Sequence, residues 1–268
     1  MNIGKAHEAA VFSLKAAEII RRVDPAEAVD HYENCISMFC EIGRFYTAAN
    51  LAVGVAELFE EDKNLEEALN YYRQAADYYT GEGHVNQANL QLIKVAKLAA
   101  LMSRFDFATE TFEKVAVSYM SDNLRCLNVN DLFLRAGLCQ LAAGGSINGG
   151  LASHKVLQWY IAKWHDIDYQ FATSRECLFL ENMLLVIPKG DISTFADHVY
   201  NMDSVVGFDT WSLKLLKRVK EDIEERIFQM EGERKLKEAR DKIVADVEAG
   251  LISKDRLEDF DMEHGTGG

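Results

Sequence analysis

Seven histidines, five cysteines and 43 acidic side chains are the groups in this 268-residue chain whose types could do chemistry, and their spacing decides whether they do. Capture of a metal by histidines on one helix needs a pair one turn apart, as in HExxH. His7, His31, His84, His154, His165, His198 and His264 are scattered and offer no such pair. Cys35, Cys40, Cys126, Cys139 and Cys177 are odd in number and contain no CxxC, so neither a disulfide framework nor a zinc knuckle is indicated. Cys139 and Cys177 lie among apolar neighbours and read as small buried hydrophobes. This cysteine usage implies a reducing compartment, the cytosol. Acid–base catalysis by two carboxylates needs a shared cleft. Glu60-Glu61 and Glu224-Glu225 instead sit in charged stretches and read as solvated faces. No phosphate-binding glycine loop, dinucleotide fingerprint or nucleophile elbow occurs. The residue types therefore point away from an enzyme: no catalytic residue, no metal and no cofactor is expected. What remains is a binding scaffold.

The elements that would position a binding face are written in a period. Ala16, Ala56, Ala96 and Ala136 stand 40 residues apart, within SLKAAEII, AVGVAELF, LIKVAKLA and LFLRAGLC. Ala28, Ala68 and Ala108 keep the same interval of 40, and each is followed by an aromatic at +4 (Tyr32, Tyr72, Phe112) and at +11 (Phe39, Tyr79, Tyr119). Offsets of 0, 4, 8 and 11 share one face of an α-helix, so the stripe reads as core between packed helices. Ala152 continues the series after the loop GGSINGG with Val156 in the aromatic place, a decayed last repeat. Two amphipathic helices per repeat, small residues at the close approaches and only 2 prolines predict stacked helical hairpins. The fold class expected is all-α: a TPR-like right-handed α-solenoid of antiparallel hairpins, capped by a C-terminal helical bundle.

Boundary signals agree with this reading. Asp24-Pro25-Ala26-Glu27 offers an N-cap, a proline at the first helical position and an acid in the first turn. Gly43, Gly81, Gly83 and the run Asp62-Lys63-Asn64 are expected between helices. The repeat covers residues 1–168. Residues 169–230 read as the bundle, with helices over Thr173–Ile187, over Asp191–Met202 and from Asp209-Thr210-Trp211 onward. That last helix is expected to run to about Ala249 through Leu216, Val219, Ile223, Ile227 and Met230. Residues 231–268 read as a charged helical extension and a disordered acidic tail. With 29 basic against 43 acidic residues the net charge is −14, which argues against a nucleic-acid binder and suits a partner with a basic docking surface. No run reaches the roughly 20 apolar residues of a membrane span, and Met1 to His7 carry no secretory signal.

Several segments resemble one family. They are Phe39 to Gly83 (FCEIGRFYTAANLAVGVAELFEEDKNLEEALNYYRQAADYYTGEG), AKLAALMSRFDFATETFEKVA (Ala96 to Ala116), NDLFLRAGLCQLA (Asn130 to Ala142), SREC (Ser174 to Cys177) and Phe195 to Ile223. The last carries an Asp-Ser pair and a Trp ahead of a Leu-Leu-x-Arg-Val-Lys helix. In combination, collinear over about Pro25 to Ile223, they are similar to the soluble NSF attachment proteins of the α type. The resemblance implies an adaptor without an active site, which coats an assembled SNARE four-helix bundle and recruits and stimulates the hexameric AAA ATPase NSF. It implies a cytoplasmic protein held at membranes peripherally, through SNAREs, in vesicle fusion and protein transport.

By position, the SNARE-facing basic residues implied are Arg44, Lys94, Arg135 and Arg175. The family's acidic, Leu-containing C-terminal contact with NSF is carried onto Leu257, Glu258, Asp259, Phe260 and Asp261, at the end of the longer arm this chain has after Ile223. Asn50, Leu90 and Asn130 stand where the α type carries lysines, so the basic face is diluted and weaker electrostatic steering is expected. The α type also has about two further hairpins and an apolar membrane-touching loop ahead of the position matching Met1, so the resemblance carries no direct membrane contact onto the residues present, whether this is a short form or a fragment. An alternative with the same fold is a helical-repeat scaffold that takes other helical or peptide partners without NSF.

Overall fold

The computed structural model describes residues 3–121, 129–144 and 150–264. Among these every regular element is a helix. Eight helices form the four hairpins: α1 (Ile3–Arg21), α2 (Pro25–Glu41), α3 (Phe45–Glu61), α4 (Leu65–Gly81), α5 (Val85–Leu101), α6 (Phe105–Ser121), α7 (Val129–Ala143) and α8 (Gly150–Ile167). A short α9 (Tyr169–Ala172), α10 (Arg175–Val186) with a 3₁₀ turn at Ile187–Lys189, α11 (Ile192–Val206), the long α12 (Thr210–Glu248) and α13 (Asp255–His264) follow. Four sequence readings fall wholly or mostly outside the described residues: Cys126, the GGSINGG loop (145–149 of it), the side chain of Ala152, and the order of Gly265 to Gly268.

The 40-residue period resolves into two 20-residue halves. Helices α2 to α6 are each 17 residues long and are joined by four three-residue turns of one design. The middle residue of successive turns has a left-handed backbone: Gly43 (φ 71°), Lys63 (φ 61°), Gly83 (φ 75°) and Ser103 (φ 62°). The residue after it donates its N–H back to the carbonyl five residues earlier: Arg44 to Phe39 (2.8 Å), Asn64 to Phe59 (2.9 Å), His84 to Tyr79 (2.8 Å) and Arg104 to Ala99 (2.9 Å). This pattern satisfies carbonyls that a helix end leaves unpaired. Starts are capped where the sequence allows it. Asp24 accepts from the N–H of Glu27 at 3.1 Å, as the Asp-Pro signal predicts, and Asn64 accepts from that of Glu67. Gly81, expected between helices, is instead the last residue of α4, and the turn is made by Glu82-Gly83-His84.

The aromatic stripe is core. Ala28, Ala68 and Ala108 are fully buried, and Tyr32, Phe39, Tyr72, Tyr79, Phe112 and Tyr119 lie within the same apolar interior. Ala56, Ala96 and Ala136 are buried as the period predicts, but Ala16 is exposed and Ala17 takes the buried place. The reason is that α1 packs chiefly against α2 alone and leaves Phe12 and Ile19 in solvent, so its rotation is not set by helices on both sides.

The apolar core is continuous across position 168. One cluster joins Ala56 in α3 to Leu157 and Trp164 in α8, Phe171 in α9, Leu180 and Met183 in α10, and Trp211 to Ile223 in α12. Helix α7 is central, touching α6, α8, α10 and α12. At Gly137 a β-carbon would overlap the δ-carbons of Leu180, so this glycine sets how closely α7 and α10 approach. Helix α10 begins at Arg175, two residues after the expected Thr173, because Ser174 caps it by accepting from Cys177 N at 3.1 Å. Helix α11 runs four residues past Met202, to the left-handed Gly207. Helix α12 ends at Glu248, and no side chain beyond Ile223 in it is fully buried. Residues 255–264, expected as part of a disordered acidic tail, form α13. It turns back on α12 through Gly250 (φ 72°), because Arg240 grips the carboxylate of Asp261 at 2.7 and 3.0 Å.

Candidate functional site

The basic residues implied as a binding face do not form one free patch. Lys94, in the middle of α5, is half-exposed and points its ammonium into its own hairpins. It lies 3.2 Å from Glu57 of α3 and 3.2 Å from the Tyr72 hydroxyl, with the ring of Tyr72 4.6 Å away. Tyr72 in turn donates to Glu60 at 2.8 Å. Burial and that hydrogen bond push the Tyr72 phenol far above its ordinary value.

Arg135 is more deeply committed, with a side chain only 15% exposed. Its Nε lies 2.7 Å from Asp131, one turn earlier on α7, and its Nη1 lies 2.9 Å from Asp209. Asp209 is a hub. It also meets Lys97 of α5 at 2.8 Å and caps α12 by accepting from Ser212 N and Oγ, both at 2.8 Å. Burial alone would raise the Asp209 carboxyl. The hydrogen bonds from Lys97 and Ser212 and the charge of Arg135 outweigh it and hold the group well below the usual carboxylate range. Trp211, one residue into the helix that Asp209 starts, donates its indole N–H to the carbonyl of Lys97 at 2.9 Å. Its ring lies 5.9 Å from the Lys97 ammonium and 5.6 Å from the Arg135 guanidinium and meets Phe112 edge-on. Two hairpins and the C-terminal bundle are thus fastened at one point. Neither Lys97 nor Asp209 figures among the sequence-derived site residues. The available signals were the Asp-Thr-Trp helix start and a second lysine one turn after Lys94.

Arg44 and Arg175 differ from Lys94 and Arg135. Both are exposed at helix starts, Arg44 at the N-cap of α3 and Arg175 in the first turn of α10. Arg175 and Arg135 both line one cleft of about 520 Å³, with Asp131, Asp168 and Glu176 also on its wall, so this part of the surface carries mixed charge. Asn50 and Leu90 are exposed and Asn130 is half-exposed, an uncharged row at an interval of 40 residues.

The five C-terminal residues split by face. Leu257, Phe260 and Asp261 are half-buried toward α12, with Asp261 held by Arg240, while Glu258 and Asp259 are exposed. They do not extend from the end of an arm, since α13 is folded back along it. Among cysteines, Cys139 and Cys177 are both fully buried. Cys177 also lies 3.0 Å (Sγ to Nε2) from His165, a meeting of α10 with α8 that linear spacing does not reveal. No helix among the described residues is long and apolar enough to cross a membrane.

Comparison with known proteins agrees with the resemblance. The family described as "Soluble NSF attachment protein, SNAP" matches residues 1–224. The chain is 30% identical over 219 residues to the human "Alpha-soluble NSF attachment protein", covering 81% of this chain and 71% of that protein. It is 30% identical over 225 residues to the bovine "Beta-soluble NSF attachment protein" (84% and 72% covered). To the Schizosaccharomyces pombe "Probable vesicular-fusion protein sec17 homolog" it is 31% identical over 219 residues (81% and 73%). The match ends inside α12, one residue after the last buried side chain of that helix.

Proposed function

The chain belongs to the soluble NSF attachment protein family, and from that premise we propose that it is an adaptor that binds assembled SNARE bundles and recruits and stimulates NSF. The observation that carries the reading is the collinear match from α1 to the buried half of α12, which covers every hairpin and the bundle packed on them. The relatives are named as attachment and vesicular-fusion proteins, which supports a role without chemistry of its own. Membrane association is then peripheral, through the SNAREs.

Within this reading Arg44 and Arg175 are the better SNARE contacts, because both are exposed at helix starts. Lys94 and Arg135 already neutralise Glu57, Asp131 and Asp209, so each would have to exchange an internal partner for an external one. Glu258 and Asp259 are the exposed acids of the carried-over segment that α13 offers to a basic NSF surface, flanked by Asp255 and Glu263. The mixed charge and the neutral row Asn50, Leu90 and Asn130 favour a second reading, a scaffold for less acidic helical partners.

The deciding experiment incubates the full chain with an assembled SNARE bundle, NSF and ATP. Recovery of NSF on the bundle and ATP-dependent disassembly only when the chain is present are expected. Absence of both at low salt would favour the second reading. Reversing Arg44 and Arg175 to glutamate should weaken SNARE binding about tenfold at low salt. Two exposed charges at roughly 0.7 kcal/mol each add to about 1.4 kcal/mol. Unchanged binding would put the contact surface elsewhere.

A further inference from the structure

His165, Cys177 and Glu181 offer three ligand atoms that all lie within 4.8 Å of one another. The set is built by two helices. Cys177 and Glu181 are one turn apart on α10 and so share a face, and His165 in the last turn of α8 meets them there. The imidazole Nε2 and the thiol Sγ are 3.0 Å apart. Bond lengths of about 2.0–2.1 Å to nitrogen and 2.3 Å to sulfur in a tetrahedral zinc site put these two atoms about 3.5 Å apart. An opening of roughly half an ångström would therefore seat an ion between them.

From this geometry we infer that His165, Cys177 and Glu181 form a binding site for a zinc-like divalent transition-metal ion, independent of the adaptor role. The donor set selects the metal class. A thiolate and an imidazole with one carboxylate suit zinc and its borderline neighbours, whereas magnesium and calcium require oxygen donors. Three protein ligands leave the fourth tetrahedral position to water. The burial pattern distinguishes this site from a nucleophilic Cys–His pair. Cys177 is fully buried, so no large substrate can reach its sulfur, while exposed Glu181 opens the cluster to a small ion from one side. Binding converts the Cys177 thiol to a metal-bound thiolate, and the displaced proton leaves to solvent. The consequence is structural: the ion would clamp the last hairpin helix, α8, to the first long helix of the bundle, α10.

The test uses the full chain freed of metal by chelation and titrated with cobalt(II), whose thiolate complexes absorb in the near ultraviolet. The expected result is about one cobalt per chain with a sulfur-to-cobalt charge-transfer band, abolished by adding zinc. His165→Ala keeps every thiol and should weaken binding about 100-fold. Glu181→Gln, at an exposed position, should weaken it about tenfold. Cys177→Ser should remove the band, but it alters a fully buried position, so the histidine and glutamate variants carry the decision. Zinc should also raise the thermal midpoint of the unaltered chain and not that of His165→Ala. No charge-transfer band in the unaltered chain would overturn the assignment. So would cobalt binding of equal strength in His165→Ala, which would show that the imidazole is not a ligand and that the three residues do not act as one site.

Discussion

Asp209 is the residue on which most of the polar structure converges, and its chemistry makes a pH-dependent prediction. Its folded-state pKa is depressed, so the ion pairs with Lys97 and Arg135 contribute stability above the ordinary carboxylate value near 4, and that contribution is lost as pH falls below it. Asp209→Asn keeps a capping side chain for α12 but removes the charge. The expected loss at neutral pH is about 1–2 kcal/mol, kept modest because more than a third of the carboxylate faces solvent. The gap in thermal midpoint between the two proteins should narrow as pH drops from 5 to 2, and a constant gap would show that the charge is not what stabilises. Internal partners of this kind explain why Lys94 and Arg135 are legible only in part. Sequence position put them on the hairpin helices α5 and α7, as found. What it could not supply were the carboxylates from other helices that occupy them: Glu57 lies 37 residues before Lys94, and Asp209 lies 74 residues after Arg135.

At the scale of the element, the turns were the least legible part, and the physics of one backbone angle explains why. The four equivalent left-handed positions are filled by Gly43, Lys63, Gly83 and Ser103, so only alternate turns carry the glycine that a sequence reading detects. A non-glycine residue in that region is strained by roughly 1 kcal/mol. Lys63→Gly and Ser103→Gly should therefore each stabilise the protein by about 0.5–1 kcal/mol, read as a rise in the denaturant midpoint at constant slope. A fall would mean that side-chain contacts at the turn outweigh the backbone. The helix interiors were legible because the alanine and aromatic stripes record contacts between neighbours in the chain. The α7–α10 contact was not, since Gly137 reads as a weak spot in a helix rather than a point of close approach. Gly137→Ala improves intrinsic helix propensity, yet it should destabilise by about 1–3 kcal/mol because the new methyl meets fully buried Leu180.

Over the whole molecule, charge and packing divide the chain near Ile223. Up to that point α12 is part of a core shared with the hairpins; after it the helix runs on for 25 more residues with no fully buried side chain. The family match stops at the same place, at residue 224. Helix α13 touches the rest through α12, with the Arg240–Asp261 pair as its main polar anchor, so it can be removed without opening the core. Deleting residues 252–268 should therefore lower the thermal midpoint by no more than about 3 °C, since a partly exposed pair contributes only about 0–1 kcal/mol. Stimulation of NSF ATPase should fall if Glu258 and Asp259 supply the acidic contact. Arg240→Ala separates presence from placement. It keeps both acids but frees α13 from α12, so intact stimulation in this variant and loss in the deletion would mean that the acids act without being held back on the arm. Loss in both would mean that the folded-back position is itself the binding form. Full stimulation in both would remove α13 from the NSF contact and leave the bundle that ends at Ile223 as the docking surface.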